Sequence, residues 1–365
     1  MRSSNRKRFS IFTGFFFLAT ALFLSEFGTR LFQCAFNDVP FFDPARPRVA
    51  FLDHGVPFYA LGADKIQTRF EETFSLKKDP NSFRIVLFGG STLENYTLFR
   101  DTGKTLSQTI TAALGSESRN VEILNVAYGG YTTAHSLVLL SLHVQSWEPD
   151  LYLYSHNFND LTVMYYPDLV PDYSNMLTLP YFTQGRFPNL FTHFLNQFRL
   201  TRQLARKIPT TIRFSEEKSY PVENSRQLYK RNIESFLALA NKNGTPTVLI
   251  TEAMQSNAEL FESTMRTQPY AAAATFPAFE QVYAQHERLN RLIKPYAALN
   301  NVHVLDAAEV LSNHKEYFED FVHFNSAGLD AFASVTAKFI LKKNLLKKSS
   351  SKRPLGKLAS SFPRQ

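Results

Sequence analysis

Five short apolar runs, set between stretches of helical spacing, constrain this chain most. Arg84-Ile85-Val86-Leu87-Phe88 ends in Gly89-Gly90, and Val121–Val126 is followed by Gly129-Gly130. Pro149-Asp150 turns the chain into Leu151–Tyr154, and Thr247–Ile250 and Val302–Leu305 complete the set. Runs this short and this continuously apolar fit strands buried on both faces. Between them, residues 132–145, 227–241, 280–299 and 326–342 carry apolar residues at helical spacing, with Asn243-Gly244 closing the second and Pro295 ending or kinking the third. Strands alternating with helices predict an α/β domain with a parallel sheet covered on both faces. No internal repeat is present.

The two ends differ from this middle. A basic start, residues 1–8 with Arg2, Arg6, Lys7 and Arg8, is followed by an uncharged run rich in Phe and Leu, residues 9–25. That length is at the short end for a bilayer span, and its basic flank predicts a transmembrane anchor with the N-terminus in the cytoplasm. A cleaved signal would need small residues at a cleavage site, and Leu22-Phe23-Leu24-Ser25-Glu26-Phe27 offers no such pair. The expectation is a single-pass protein with its catalytic domain outside the cytoplasm, in a bacterial periplasm or at the cell surface. Residues 26–81 read as a Pro- and Phe-rich connector packed partly on the domain, 82–342 as the domain, 161–224 as an insertion or lid, and 343–365 as a basic, disordered tail. The net charge of +8 is concentrated at the two ends, so no basic stripe marks a nucleic-acid surface. Cys34 is the only cysteine, which excludes an intrachain disulfide and a thiolate zinc site. The sequon at Asn95 falls just after a candidate nucleophile, where a glycan would crowd the pocket, and this favours a bacterial envelope over a eukaryotic secretory route.

In an open parallel sheet, ligands bind outside the carboxyl ends of the strands. Ser91 follows the first strand, Gly130 the second, Asn159-Asp160 the third, and Asp320 and His323 follow the fifth, near the last helix. These are the parts of an ester hydrolase. A serine hydroxyl needs a base to take its proton, usually histidine, and a carboxylate to hold that histidine. The developing oxyanion needs preorganised donors. Each motif alone has an ordinary reading: a phosphate-cradling or plain strand-to-helix turn for Gly89-Gly90-Ser91, a turn for Asn159-Asp160, and helix capping for Asp320. Their order, each after its own strand, favours a catalytic set. The Gly-x-Ser-x-Gly elbow is absent because Leu93 occupies its last position. His135, His143 and His156 lack metal-ligand spacing, so no metal or other cofactor is expected.

In order and spacing, Gly89-Gly90-Ser91, Gly130, Asn159-Asp160 and Asp320-Phe321-Val322-His323 resemble the four blocks of the SGNH (GDSL-like) hydrolase family, over the stretch from Ser82 to Lys342. The resemblance implies a flavodoxin-like three-layer sandwich and hydrolysis of acyl esters. It implies Ser91 as nucleophile, His323 as general base, Asp320 as the residue orienting His323, and an oxyanion hole from the N–H groups of Ser91 and Gly130 with the side chain of Asn159. Gly90 stands where the family name has aspartate. Asn157 stands where a glycine is usual, and asparagine tolerates positive φ. The expected substrate is an extracytoplasmic acyl ester, an O-acetylated glycan among the candidates. The aromatics Tyr165, Tyr166, Tyr173, Tyr181 and Phe182 either contact it or pack the insertion onto the domain. An acyltransferase with the same triad and an inactive binding module are the alternatives.

Overall fold

The computed structural model describes residues 58–61, 64–70, 72–165, 213–215, 222–267 and 275–347, with scattered positions between 13 and 35. Five parallel strands form its centre: β4 (Phe83–Gly89), β5 (Val121–Asn125), β6 (Leu151–Ser155), β8 (Thr247–Ile250) and β10 (Val302–Leu305). Their order across the sheet is β10-β8-β6-β4-β5. Numbered along the chain, this is the flavodoxin-like 2-1-3-4-5 order, and its switch point lies between β4 and β6. The sheet register sets Leu87 opposite Leu153 and Gly89 opposite Ser155, so both strands release their chains at the same edge.

Strand alternation sends side chains to two cores. Val86, Phe88, Tyr152, Tyr154 and Leu249 face one side, against Leu139 and Leu140 of α4 (Thr133–Leu142), Ile233 and Phe236 of α6 (Val222–Lys242) and Leu289 of α8 (Phe279–Ile293). Ile85, Leu87, Leu151, Leu153 and Val248 face the other, against Ile110 of α3 (Leu106–Leu114) and Leu329, Phe332 and Ile340 of α10 (Ser326–Lys342). This is the three-layer sandwich with a parallel sheet expected from the sequence. Pro295 marks the change from α8 to a 3₁₀ turn at Lys294–Ala298, because its ring and missing N–H cannot continue the α-helix.

The stretch read as an irregular connector contains an antiparallel meander, β1 (Phe58–Leu61), β2 (Lys65–Thr68) and β3 (Thr73–Ser75). Such short strands carry too little alternation to be read from sequence. Phe58 and Ile66 of the meander join the core, with the Phe58 ring 4.9 Å from Trp147. Arg84 then bolts the meander to the sheet. Only 1% exposed, it donates to Ser75 O at 2.8 Å, Trp147 O at 2.7 Å and Glu122 Oε2 at 2.8 Å.

The stretch read as an insertion from 161 to 224 begins inside α5 (Phe158–Met164) and ends inside α6. Within it, β7 (Arg213–Ser215) pairs in parallel with β9 (Thr275–Pro277). Residues 166–212 and 216–221 lie outside the described residues, and with them Tyr166, Tyr173, Tyr181 and Phe182. So do Cys34 and the tail beyond 347. Much of the expected anchor at 9–25 also lies outside them. The described positions between 13 and 32 are helical, and among the described residues no helix is long and apolar enough to cross a membrane.

Replacing Arg84 with Met should destabilise the domain by roughly 2–3 kcal/mol, because it leaves the buried Trp147 carbonyl without its donor and removes the part-buried bonds to the Ser75 carbonyl and Glu122. Urea unfolding monitored by circular dichroism measures this, and a loss below about 1 kcal/mol would show that Arg84 does not hold the meander.

Candidate active site

Four chain segments meet beyond the switch point. The first is the turn after β4. Gly90 is the N-cap residue, Ser91 opens the one-turn helix α1 (Ser91–Glu94), and Asn95 ends it in the left-handed conformation at φ 45. The Asn95 amide donates to Phe324 O at 2.8 Å and ties this helix to the histidine loop. Asn95 is buried, so its sequon offers no accessible glycan acceptor. The Asn125 side chain ties the same helix to the end of β5: its amide donates to Leu93 O at 3.0 Å while its carbonyl accepts from the Ala127 N–H.

The histidine loop runs between Phe318 and Phe324, which form an isolated antiparallel bridge. Asp320 accepts from the N–H groups of Val322 and His323, both at 2.8 Å, and so sets the loop's turn with its own side chain. Its second oxygen lies 2.6 Å from His323 Nδ1, and His323 Nε2 lies 2.9 Å from Ser91 Oγ. Gln255 holds the loop from outside, through its backbone N–H to Phe321 O at 2.9 Å and its side-chain amide to Asp320 O. The structure therefore joins Ser91, His323 and Asp320 in one hydrogen-bonded line across 232 residues of sequence.

The third and fourth segments follow β5 and β6. Gly130 takes φ +80, in the region where glycine carries no steric cost. Asn159 lies in the first turn of α5, and its amide donates to Tyr131 O at 2.9 Å. This bond spans the two segments and spends one of the amide's two protons. A Cβ built on Gly90 would collide with Asn159 Nδ2. Glycine at position 90, where the family name has aspartate, is thus the residue that lets the Asn159 amide approach the Ser91 turn in this chain.

Asn157, read as able to take a positive φ, takes φ −161 and ψ −72, outside the positive-φ region. A side chain is used here instead of a glycine's freedom: the Asn157 amide donates to His286 O at 2.9 Å and Asn290 Oδ1 at 2.8 Å. Asp160 is buried and accepts from the Thr133 N–H at 3.0 Å and the Thr133 hydroxyl at 2.5 Å, locking α5 to the start of α4. Burial pushes its carboxyl up to about 7. His156, 2.6 Å from the Ser136 hydroxyl, is pushed down to about 3 by burial, and His135 to about 4, so both are neutral structural groups near neutral pH.

Two buried carboxylates at the site carry no family motif. Glu94, 5% exposed, lies one turn after Ser91 and pairs with Arg69 of the meander. Burial raises its carboxyl, while Arg69 and a hydrogen bond from the Gly129 N–H act against that rise. The Arg69 guanidinium is stacked against the Tyr96 ring at 3.9 Å and the Tyr128 ring at 4.6 Å. Glu252, after β8, is the second. The spacing of Glu94 three residues after Ser91, on one helix face, is a signal for the first. The strand-end rule, applied to β8, is a signal for the second.

Burial alone would push His323 down. The hydrogen bond and charge of Asp320 outweigh it, Glu252 and Glu319 add to it, and the imidazole lies above its usual 6.5. Burial would raise Asp320, but the His323 contacts and two backbone N–H groups hold it below 3.8. A serine hydroxyl placed on such an imidazole can hand over its proton as it attacks an electrophilic carbon.

A family model described as GDSL-like Lipase/Acylhydrolase matches residues 87–331, more than half of the chain. The chain belongs to the GDSL-like lipase/acylhydrolase family. It is an ester hydrolase by that membership, with the family's α/β fold. No curated protein matches the chain. Among solved structures it is similar to a GDSL-like lipase from Bacteroides thetaiotaomicron, at 14% identity and TM-score 0.42, covering 71% of this chain and 88% of that one. It is similar to a carbohydrate acetylesterase family member from Sinorhizobium meliloti, at 13% identity and TM-score 0.43, covering 72% and 99%. It is also similar to the lipase/acylhydrolase from Enterococcus faecalis, at 17% identity and TM-score 0.38, covering 74% and 100%.

Gly90→Ala should lower kcat by about 100-fold with little change in melting temperature, because the new methyl pushes aside the Asn159 amide rather than a core group. Steady-state kinetics beside a thermal melt check this. Full activity in the alanine variant would mean that Asn159 does not need its present position.

Proposed function

We infer that this family member is a serine esterase or deacylase in which Ser91 is the nucleophile, His323 the general base and Asp320 the residue that orients it. The observation that carries the reading is His323, with Nε2 at 2.9 Å from Ser91 Oγ and Nδ1 at 2.6 Å from Asp320. Ser91 Oγ attacks the ester carbonyl carbon while His323 Nε2 takes its proton. The oxyanion is held by the N–H groups of Ser91 and Gly130 and the remaining amide proton of Asn159. The tetrahedral intermediate collapses as His323 returns the proton to the leaving alcohol, which leaves an acyl-serine. Water, deprotonated by the same imidazole, then releases the acid.

The substrate in this reading is an acyl ester outside the cytoplasm, with O-acetylated glycans as the first class to assay. A basic start ahead of an uncharged Phe- and Leu-rich run supports a membrane-held protein facing away from the cytoplasm. Cell fractionation tests the location. Release that requires detergent supports the anchor, and recovery in the cytosolic fraction removes both the anchor and the envelope substrate.

Hydrolysis of p-nitrophenyl acetate tests the chemistry. Ser91→Ala and His323→Ala should each lose about a thousandfold or more in kcat, and Ser91→Ala should stop labelling by a fluorophosphonate. Equal rates in the wild-type and both variants would overturn the reading.

The pH dependence has a definite sign. His323 works as a base only when neutral, so kcat/KM should rise with pH through a limb centred above 6.5. Asp320→Asn should move that limb to lower pH. In stability the same pair acts oppositely at its two ends. The raised histidine contributes below 6.5 and loses that contribution as pH rises through its folded value. The depressed aspartate contributes above 3.8 and loses it as pH falls.

A further inference from the structure

Glu252 lies where β8 ends, and its carboxylate is 6% exposed. A charge this buried is costly unless it is hydrogen-bonded on several sides. Oε1 accepts from the Phe158 N–H at 2.8 Å, and Oε2 accepts from the Thr92 hydroxyl at 3.1 Å. Thr92 adjoins Ser91, and Phe158 adjoins Asn159. One carboxylate thus holds the nucleophile turn and the helix that carries the oxyanion amide. His286 Nε2 stands 3.4 Å from Oε1.

The backbone of Glu252 is fixed as firmly as its side chain. Asn290 accepts from the Glu252 N–H at 3.0 Å and donates to the Glu252 carbonyl at 2.9 Å. The same Asn290 oxygen accepts from Asn157, which also donates to the His286 carbonyl. A closed buried lattice on α8 therefore supports Glu252, and Glu252 supports the two site loops. No family block contains it.

We propose that Glu252 is a positioning residue of this hydrolase, setting the spacing between Ser91 and the Asn159 amide and adding a second negative charge to the surroundings of His323. The proposal deepens the serine-esterase reading and rests on it for the catalytic part. The groups facing His323 are Asp320 and Glu319 from its own loop, Glu252 from the end of β8 and Glu94 from α1. Only Glu252 among them touches both the nucleophile turn and α5.

Glu252→Gln keeps the shape and removes the charge. In the full chain, with 13C-labelled histidine and His323 identified by its loss in His323→Ala, NMR titration should place the His323 midpoint lower in Glu252→Gln than in the wild-type protein. This readout needs no turnover. An unchanged midpoint overturns the proposal whether or not Ser91 proves to be a nucleophile. On p-nitrophenyl acetate, the same variant should lose about 10- to 100-fold in kcat with KM within about twofold, and its acid limb should move to lower pH. A lowered midpoint with wild-type kcat would overturn the positioning role. Were Glu252→Gln to unfold, Thr92→Val removes only the hydroxyl contact to the same carboxylate. It should lose about 3- to 10-fold in kcat with an unchanged fold, and wild-type kcat there would also overturn the role. Ser91→Ala run in parallel separates the two ideas: if it matches the wild-type rate, the esterase reading itself fails and the NMR midpoint alone decides whether Glu252 acts on His323.

Discussion

The parallel pairing of β4 with β6, which sets Gly89 opposite Ser155, is the constraint on which the site depends. At this switch point the chain leaves two neighbouring strands in opposite directions across the sheet, and a crevice opens between their carboxyl ends. Ser91 falls on one side of that crevice and Asn159 on the other. Had β4 paired only with β5, the serine turn would have no partner segment at the distance of one carbonyl group. The two glycines at the end of β4 follow from the same constraint. A Cβ at Gly89 would press on Leu93 and the Ser155 carbonyl, and one at Gly90 on Asn159.

The histidine arrives by a different route. It belongs to no strand, and its loop is built from side-chain bonds: Asp320 to the backbone of residues 322 and 323, Asn95 to Phe324, and Gln255 to Asp320. Such a loop is as rigid as the groups that hold it. Asp320 serves the local turn with one oxygen and His323 Nδ1 with the other, so loop geometry and imidazole orientation share one residue.

Much of this was legible in the sequence, for a physical reason. Strands buried on both faces leave continuous apolar runs, and all five parallel strands could be placed from them. Ser91, Gly130 and Asn159 stand out as candidates because each follows a strand of the sheet, and Asp320 and His323 because a serine nucleophile needs a base and a carboxylate to orient it. The meander was not legible, since β1, β2 and β3 are too short to show a period and Arg84 within β4 gives no sign of the carbonyls it will meet. Nor were the ties that fix the site. Asn125, Asn95, Gln255 and Asn290 act through bonds to distant backbone, and such partners have no signature in the local sequence. At Asn157, where a glycine is usual, the positive φ that asparagine tolerates is not taken, and the side-chain amide bonds to α8.

The distribution of negative charge around one imidazole is the remaining physical point. Asp320 pairs with it directly, and Glu252, Glu94 and Glu319 act at longer range. In the serine-esterase reading, attack by Ser91 would turn that imidazole into a cation and create an oxyanion close by. Carboxylates near the site stabilise the first charge and oppose the second. In that reading, geometry would separate the two effects. Glu252 accepts from Phe158 and Thr92, and Glu94 from Gly129 and Arg69, so each carboxylate is bonded by a residue that adjoins Ser91, Gly130 or Asn159. Each bond holds a loop in place, and Arg69 offsets part of the Glu94 charge. If His323 is the base, negative charge near it would favour proton transfer while the groups facing the oxyanion remain hydrogen-bond donors.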